Sequence, residues 1–159
     1  MPNYIHPATP ELAYKVAEQL TDADYREVYE GHGKDPKIWI PIWSLNSDSY
    51  YFTDKKGNLA GMAGVEDGGA IWMLCTEVIY RNKVMFIREA KKFIDSRKEK
   101  YLYNIVDKRN TVHLDLLRWL GFKFIREITY GPNNLSFIEF IRPCAHPLQS
   151  ESPQQLPES

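Results

Sequence analysis

Four side chains in this sequence are candidates for proton transfer in a catalytic step. His113 lies in a predicted helix, where an imidazole can act as a general acid. Glu66, Glu77 and Asp107 each follow an apolar, strand-like segment. Because carboxylates at strand ends face the cleft in α/β folds, each of them is a candidate general base. All four also fit ordinary structural roles, as a hydrogen-bonded helix histidine and as solvated or capping carboxylates.

A second chemical feature is the basic segment 81–100. It holds eight Lys or Arg residues against three acidic ones, a local excess of five positive charges. The solvent-exposed face of an amphipathic helix explains such a pattern. The alternative is that the segment binds an anionic partner, such as nucleic acid, an acidic protein or a phosphate group.

The composition argues against several classes of protein. The formal net charge of -1 gives the chain no global attraction to nucleic acid or to membranes. Cys75 and Cys144 lie too far apart in sequence for a metal motif or a disulfide framework, which predicts a reducing compartment and no metal site. The N-terminus lacks the pattern of a signal peptide, and no apolar run approaches the ~20 residues that span a bilayer. We therefore expect a soluble, cytoplasmic protein without membrane contact.

The 159 residues, 43% of them hydrophobic, suit one domain with a substantial core. From Pro143 onward the sequence is rich in Pro, Ser and Gln and has few large apolar residues. Such a segment offers too little burial to offset the entropy of ordering it. We predict a single domain over residues 1–142 and a flexible tail over residues 143–159.

Hydrophobic periodicity and capping residues predict the elements that position these side chains. Thr9 and Pro10 predict the start of a first helix. A second helix begins after Thr21, with Tyr25 and Tyr29 beside Val28 on its apolar side. The further elements predicted are a short first strand at 3–6, strands at 49–53, 59–65, 70–76, 101–106, 122–129 and 135–141, a long helix at 82–100, and a helix after Asn110. A connection rich in Gly and Pro and then an aromatic segment, 38–43, precede the strand at 49–53.

A helix between the apolar strand 70–76 and the strand 101–106 predicts a right-handed crossover. These two strands then form one parallel pair at the centre of an otherwise antiparallel sheet. The predicted fold class is therefore α/β (α+β), a mixed and mostly antiparallel sheet flanked by about four helices. Ligands prefer such a break in strand pairing, and we expect the pair to splay into a V-shaped slot.

Asn110 heads a helix that closes in Leu120-Gly121-Phe122, with Leu116 between them. This motif and the predicted order of elements resemble the GNAT superfamily of acyl-CoA-dependent N-acetyltransferases. The resemblance covers about residues 5–141 and implies a GNAT-like fold.

A narrower resemblance rests on Trp72, on the basic helix and on the segment 101–124. These features are similar to a family of small phage proteins typified by an internal virion protein of short-tailed phages. That resemblance implies a location in the host bacterial cytoplasm or in the virion. It also implies virion or host proteins as partners.

In the GNAT superfamily, the loop before the long helix binds the pyrophosphate of CoA through backbone amides at the helix N-terminus. The corresponding stretch here runs from Arg81 to Phe86, and Val84 and Phe86 replace the small residues of the family. The resemblance implies acetyl-CoA as the cofactor, with phosphate bound by charge. The cofactor-binding residues that it implies are Cys75, Thr76, Arg81, Asn82, Lys83 and Asn110.

Many members of the superfamily carry a Tyr that protonates the departing thiolate, and Leu117 occupies that position here. His113 lies one turn earlier on the same helix face and is the substitute acid. With Glu77 as the base, these are the predicted catalytic residues. Three functions stay open: an N-acyltransferase, a non-catalytic internal virion or assembly protein that uses the fold as a binding scaffold, and a modifier of host proteins made early in infection.

Overall fold

The computed structural model describes residues 4–144. Within this range the chain forms seven strands, five α-helices, one π-helical turn and one 3-10 turn. In chain order they are β1 (Ile5–Pro7), α1 (Pro10–Glu18), α2 (Asp22–Arg26), the π-helical turn (Glu27–Gly31), α3 (Pro36–Leu45), β2 (Asp48–Thr53), β3 (Leu59–Val65), β4 (Ile71–Cys75), the 3-10 turn (Glu77–Arg81), α4 (Lys83–Asp95), β5 (Tyr101–Asp107), α5 (Thr111–Trp119), β6 (Lys123–Tyr130) and β7 (Leu135–Pro143).

Capping residues start the first two helices as predicted. Thr9 Oγ1 accepts a hydrogen bond from the Leu12 amide at 3.2 Å, and Pro10 lies in the first turn of α1. Thr21 Oγ1 accepts from the Asp24 amide at 3.2 Å at the start of α2. Such caps satisfy amides that have no partner inside the helix, and each contributes about 1 kcal/mol.

The aromatic segment 38–43, to which the sequence assigned no element, lies in α3. Asp35 caps this helix, since its Oδ1 accepts from the Lys37 amide at 3.0 Å. Pro36 occupies the first turn, where its missing amide costs nothing. The proline therefore marks a helix start, and the fold has five α-helices where about four were predicted.

Helix α4 is shorter than predicted and ends at Asp95 instead of residue 100. Arg97 leaves the helix and forms ion pairs at 2.7 Å with Asp48 and with Glu99. Part of the basic segment therefore connects α4 to the sheet and does not extend a basic helix face.

The strands form two antiparallel sheets in the orders β1-β2-β3-β4 and β5-β7-β6. One parallel bridge between Ala70 and Tyr103 joins β4 to β5. At this point the Tyr103 amide donates to the Gly69 carbonyl at 3.0 Å, and Asn104 Nδ2 donates to the Ile71 carbonyl at 2.8 Å. The mixed, mostly antiparallel fold with a central parallel pair is confirmed, and the pair is joined at one end.

The core has one part on each face of the sheets. Helices α1 and α3 pack on β3 and β4 through an apolar cluster that includes Val16, Ile40 and Leu74. Helices α4 and α5 pack on the other face, mainly through a cluster built around Leu102 and Leu117. Fully burying one such side chain contributes about 1.5–3 kcal/mol, so both helix layers are firmly held. Within residues 4–144, no helix is long and apolar enough to cross a membrane.

The folded domain extends past the predicted boundary at residue 142. Pro143 belongs to β7, and the buried Cys144 donates its amide to the Lys100 carbonyl at 3.1 Å. These two residues were assigned to the tail and belong to the fold. The rest of the predicted tail, 145–159, lies outside the described residues.

Candidate functional site

Beyond the Ala70–Tyr103 bridge, β4 and β5 separate and leave a gap between their C-terminal ends. In an antiparallel pair, alternate residues direct their amides toward and away from the partner strand. The Thr76 amide donates to Ala60 of β3 at 2.8 Å, so the amides of Met73 and Cys75 face away from β3 and into the gap. The same alternation on β5 points the Asp107 amide into the gap from the other side.

A cavity of about 520 Å³ occupies this gap and reaches both faces of the sheets. On the side of α4 and α5 it is lined by Ala90 and Leu116, and on the side of α1 and α3 by Val28, Trp43 and Trp72. Strands that paired along their whole length would leave no such space. The V-shaped slot predicted from the order of elements is therefore present.

Two carboxylates from α2 and the π-helical turn close the open end of the gap. Asp24 Oδ2 accepts a hydrogen bond from the Cys75 amide at 2.8 Å, and Glu27 Oε1 accepts from the Asp107 amide at 3.1 Å. Asn110 Nδ2 joins them, donating to Asp24 Oδ1 at 2.7 Å and to Glu27 Oε1 at 3.2 Å. The side chains of Asp24, Glu27, Asp107 and Asn110 are all polar and buried. We call Asp24 and Glu27 the carboxylate pair.

Burial changes the proton affinity of this group. Loss of solvent raises the pKa of Glu27 from 4.5 to about 7; the charge of Asp24 adds to the rise, while His113, Asn110 and the Asp107 amide oppose it. His113 Nδ1 lies 3.7 Å from Asp24 Oδ1. Burial lowers the pKa of His113, but attraction to Asp24 and Glu27 outweighs that effect and raises the pKa overall. Proton exchange near neutral pH is therefore built into this end of the gap.

The structure brings four of the predicted site residues to the cavity. Cys75, Asn110 and His113 line it near the carboxylate pair, and Lys83 lines it at the start of α4. Asn110 also has the structural role that its position suggested, because its Oδ1 accepts from the His113 amide at 3.3 Å and caps α5.

Other predicted residues lie outside the cavity lining. Glu77, Arg81 and Asn82 are exposed on the 3-10 turn and at the start of α4. Thr76 is buried in a structural role, since its Oγ1 donates to the Leu59 carbonyl at 2.7 Å and accepts from the Val78 amide at 3.2 Å. The geometry gives Glu77 and Thr76 no contact with the space where a ligand would lie.

The first turn of α4 is open to an anion. Within the described chain, the side chain of Asn82 makes no capping hydrogen bond to this helix. Phe86, which replaces a small residue of the family, is buried against Phe52, with 5.9 Å between the ring centroids. Val84 is 71% exposed and has no positive φ, so neither residue fills the space before the helix. The free amides at this positive helix end adjoin Lys83.

The carboxylate pair was not predicted from the sequence. The apolar side of the second helix was assigned to Tyr25 and Tyr29 beside Val28, but the tyrosines are 45% and 54% exposed. Asp24 and Glu27 are buried with Val28 instead. The spacing of 24, 27, 28 and 31 is that of one helix face, and this was the available signal. Among residues 4–144, no group of His, Cys, Asp and Glu is arranged to hold a metal ion.

No family model matches the sequence, and no curated protein is similar to it in sequence. Solved structures do match in fold. An acetyltransferase of the GNAT family from Streptococcus pneumoniae is 15% identical with a TM-score of 0.56, over 89% of this chain and 98% of the other. The protein yncA of Salmonella typhimurium, solved with its cofactor acetyl-CoA, is 13% identical with a TM-score of 0.62, over 91% and 96%. Ribosomal-protein-alanine N-acetyltransferase from Brucella melitensis is 13% identical with a TM-score of 0.61, over 89% and 99%.

These likenesses span nearly the whole length of each protein, and they confirm the predicted GNAT-like fold. At identities this low they establish the fold alone. The narrower resemblance to the phage family stays a prediction.

Proposed function

We propose that this protein is an acyl-CoA-dependent N-acyltransferase that binds acetyl-CoA between β4 and β5. The observation that carries the proposal is the gap between these strands, with its cavity of about 520 Å³. Acetyl-CoA supplies an acyl group activated as a thioester. The fold that this chain shares with yncA, whose structure holds that cofactor, supports the proposal.

The residues around the gap fit such a ligand. The Met73 amide faces the gap and is available to a carbonyl oxygen, whereas the Cys75 amide is held by Asp24. Lys83 and the uncapped first turn of α4 offer charge and amides to phosphate groups. The apolar lining excludes water from a reacting thioester, which strengthens polar contacts there.

Binding of acetyl-CoA tests the proposal directly. A ligand that binds only the folded protein raises its melting temperature, by about 5 °C or more at a concentration 100-fold above Kd. We expect this rise with acetyl-CoA in a thermal-shift measurement. Ala90→Phe places a ring in the cavity and abolishes the rise, whereas Lys91→Ala, on the adjacent exposed position, keeps it. No shift at millimolar acetyl-CoA would remove the basis for the enzyme.

The proposal also includes an origin in a phage, virion or host proteins as partners, and nucleic-acid binding by residues 81–100. A non-catalytic scaffold is the second candidate function. One observation favours it: Asp24 already occupies an amide that faces the gap. A protein that binds no acetyl-CoA would match this second function.

A further inference from the structure

One face of the sheet β5-β7-β6 is open to solvent over its middle. Strand register places Tyr103 of β5, Ile141 of β7 and Lys123 of β6 in one row, because directly paired residues lie on the same face of a sheet. Tyr101, two residues before Tyr103, lies on this face too. Tyr101 and Tyr103 are 44% and 43% exposed, so the described chain leaves them uncovered. We call the surface formed by these four residues the open face.

The opposite face of the same sheet is packed. Leu102 and Phe140 alternate with the residues of the open face and belong to the apolar cluster under α4 and α5. Beyond one end of the open face, the His32 ring covers Phe137, with 5.5 Å between the ring centroids. An antiparallel sheet with one solvated face usually exposes polar side chains there. Two tyrosines and an isoleucine in that position instead form the kind of apolar patch that marks a protein–protein contact.

Opposite charges flank the open face. On the side of β5 lies the turn after β3, held there because the Tyr103 amide donates to the Gly69 carbonyl at 3.0 Å. This turn carries two acids, Glu66 and the exposed Asp67. On the side of β6, Lys123 is exposed. In the described chain none of these three charged side chains forms an ion pair, and β5 and β7 separate the acids from the lysine.

Other charged side chains near the open face have partners within the chain. Arg126 Nε pairs with Glu139 at 2.6 Å in the neighbouring row of the sheet. Lys100 Nζ lies 5.9 Å from the centroid of the Tyr101 ring. The charges without such partners are therefore acidic on one side of an apolar centre and basic on the other.

We infer that the open face binds a second copy of this chain, with the two faces packed together about a two-fold axis parallel to the strands. Rotation about this axis exchanges the two sides of the sheet, so that Lys123 of each copy meets Asp67 of the other copy. The tyrosines pack at the centre. A face that is acidic on one side and basic on the other is self-complementary in this arrangement. Nucleic acid or a membrane surface would require a basic face instead.

The second copy borders the cavity. Ile105, two residues after Tyr103 on the same side of β5, lines the cavity between β4 and β5. A face of three strands is at the low end of the sizes of protein interfaces, so we expect a dimer with a dissociation constant of about 10 µM. The inference goes beyond the proposed function and does not depend on it.

Sedimentation velocity of the full chain, without acetyl-CoA, tests the inference. The protein concentration is varied from about tenfold below to about tenfold above the expected dissociation constant. We expect the average mass to rise from that of one chain to that of two chains. A protein that stays monomeric over this range overturns the inference and leaves the proposed function standing.

A pair of tyrosine variants locates the interface. Tyr103→Lys places a charge at the centre of the open face and weakens dimerisation at least about tenfold, because a buried charge without a partner is costly. Tyr14→Lys is the matched control, since Tyr14 is 44% exposed and lies on α1, and it dimerises like the wild type. Equal dissociation constants for the two variants, or loss of the dimer in Tyr14→Lys alone, overturn the inference.

Charge reversal at exposed positions tests the two-fold arrangement and covers a failure of Tyr103→Lys to fold. Lys123→Glu and Asp67→Lys each weaken dimerisation about fivefold, because like charges then meet across the axis. The double variant restores the affinity of the wild type, since opposite charges meet again. Added salt reduces the differences between these variants. A double variant that dimerises as weakly as the single variants overturns the inference.

Discussion

The two ends of the gap between β4 and β5 are closed in different ways. At one end the backbone closes it, since the Tyr103 amide donates to the Gly69 carbonyl at 3.0 Å. At the other end, which we call the side-chain end, Asp24 and Glu27 accept the amides that the splayed strands no longer pair. The Thr21 amide donates to the Cys75 carbonyl there at 3.0 Å, but in the described chain no backbone bond joins β4 to β5 at this end. Buried amides require a partner wherever strands separate. When a helix supplies carboxylates as those partners, the end where the strands separate also holds groups that gain and lose protons.

The backbone end depends on one glycine, and changing it has the largest expected effect. Gly69 has φ +109°, and an added Cβ would lie 2.2 Å from the Tyr101 carbonyl oxygen. Because backbone cannot move aside without breaking the bridge, Gly69→Ala costs about 4 kcal/mol in the free energy of unfolding, measured with urea. Gly57→Ala is the control, at φ +85° with open space around it, and costs about 1 kcal/mol. Equal losses would mean that the bridge does not hold the strands.

The side-chain end responds to pH, which the backbone end does not. The pKa of Glu27 lies at about 7 in the folded protein and near 4.5 when exposed, so the folded state binds more protons between these values. Stability from this group is therefore complete below pH 4.5 and is lost as pH rises through 7, by about 3 kcal/mol at most. The raised pKa of His113 acts in the same direction.

Glu27→Gln isolates this contribution. Its unfolding free energy minus that of the wild type rises between pH 4.5 and 8, because only the wild type loses stability from this group. Urea unfolding at several pH values measures the difference. A difference that stays constant with pH would show that Glu27 titrates as an exposed carboxylate.

The Asn110 side chain links the two carboxylates, and replacing Asn110 removes the link between Asp24 and Glu27. Asn110→Ala removes the side-chain amide that donates to Asp24 Oδ1 and to Glu27 Oε1, and it removes the cap of α5. The expected cost is about 2–3 kcal/mol. Asn133→Ala removes an exposed amide that donates to the Glu30 carbonyl, and its expected cost is below about 1 kcal/mol. Similar values for the two variants would contradict a structural role for the link.

The backbone end was easier to predict than the side-chain end. Local signals placed the strands on both sides of α4, and the crossover rule then made β4 and β5 parallel neighbours. The cap by Asn110 and the turn at Gly121, with φ +89°, are also local. The slot therefore follows from order and handedness, and no long-range contact had to be known.

The carboxylate pair could not be found in this way. Asp24 and its partner Cys75 are 51 residues apart, and Glu27 and Asp107 are 80 apart. Nothing local shows that an amide will be left unpaired so far along the chain. Hydrophobicity also favoured Tyr25 as a buried residue over its acidic neighbours, and burial of acids is rare enough that the expectation was reasonable.

The smallest expected effect is a difference in acetyl-CoA affinity between variants of Lys83 and Arg81. Both residues were predicted from the sequence to bind the cofactor. Lys83 lines the cavity beside the free amides of α4, whereas Arg81 is exposed on the preceding turn and does not line it. If phosphate groups lie at this helix end, Lys83→Ala weakens acetyl-CoA binding about tenfold, the effect of one charged hydrogen bond. Arg81→Ala weakens it less than about threefold, since an exposed charge acts through solvent and salt. Lys91→Ala, on the same helix and far from the turn, leaves the calorimetric Kd unchanged. Equal losses of affinity in the Arg81 and Lys83 variants would place the phosphate groups in front of the 3-10 turn. The ligand would then be bound by long-range charge and not by the first turn of α4.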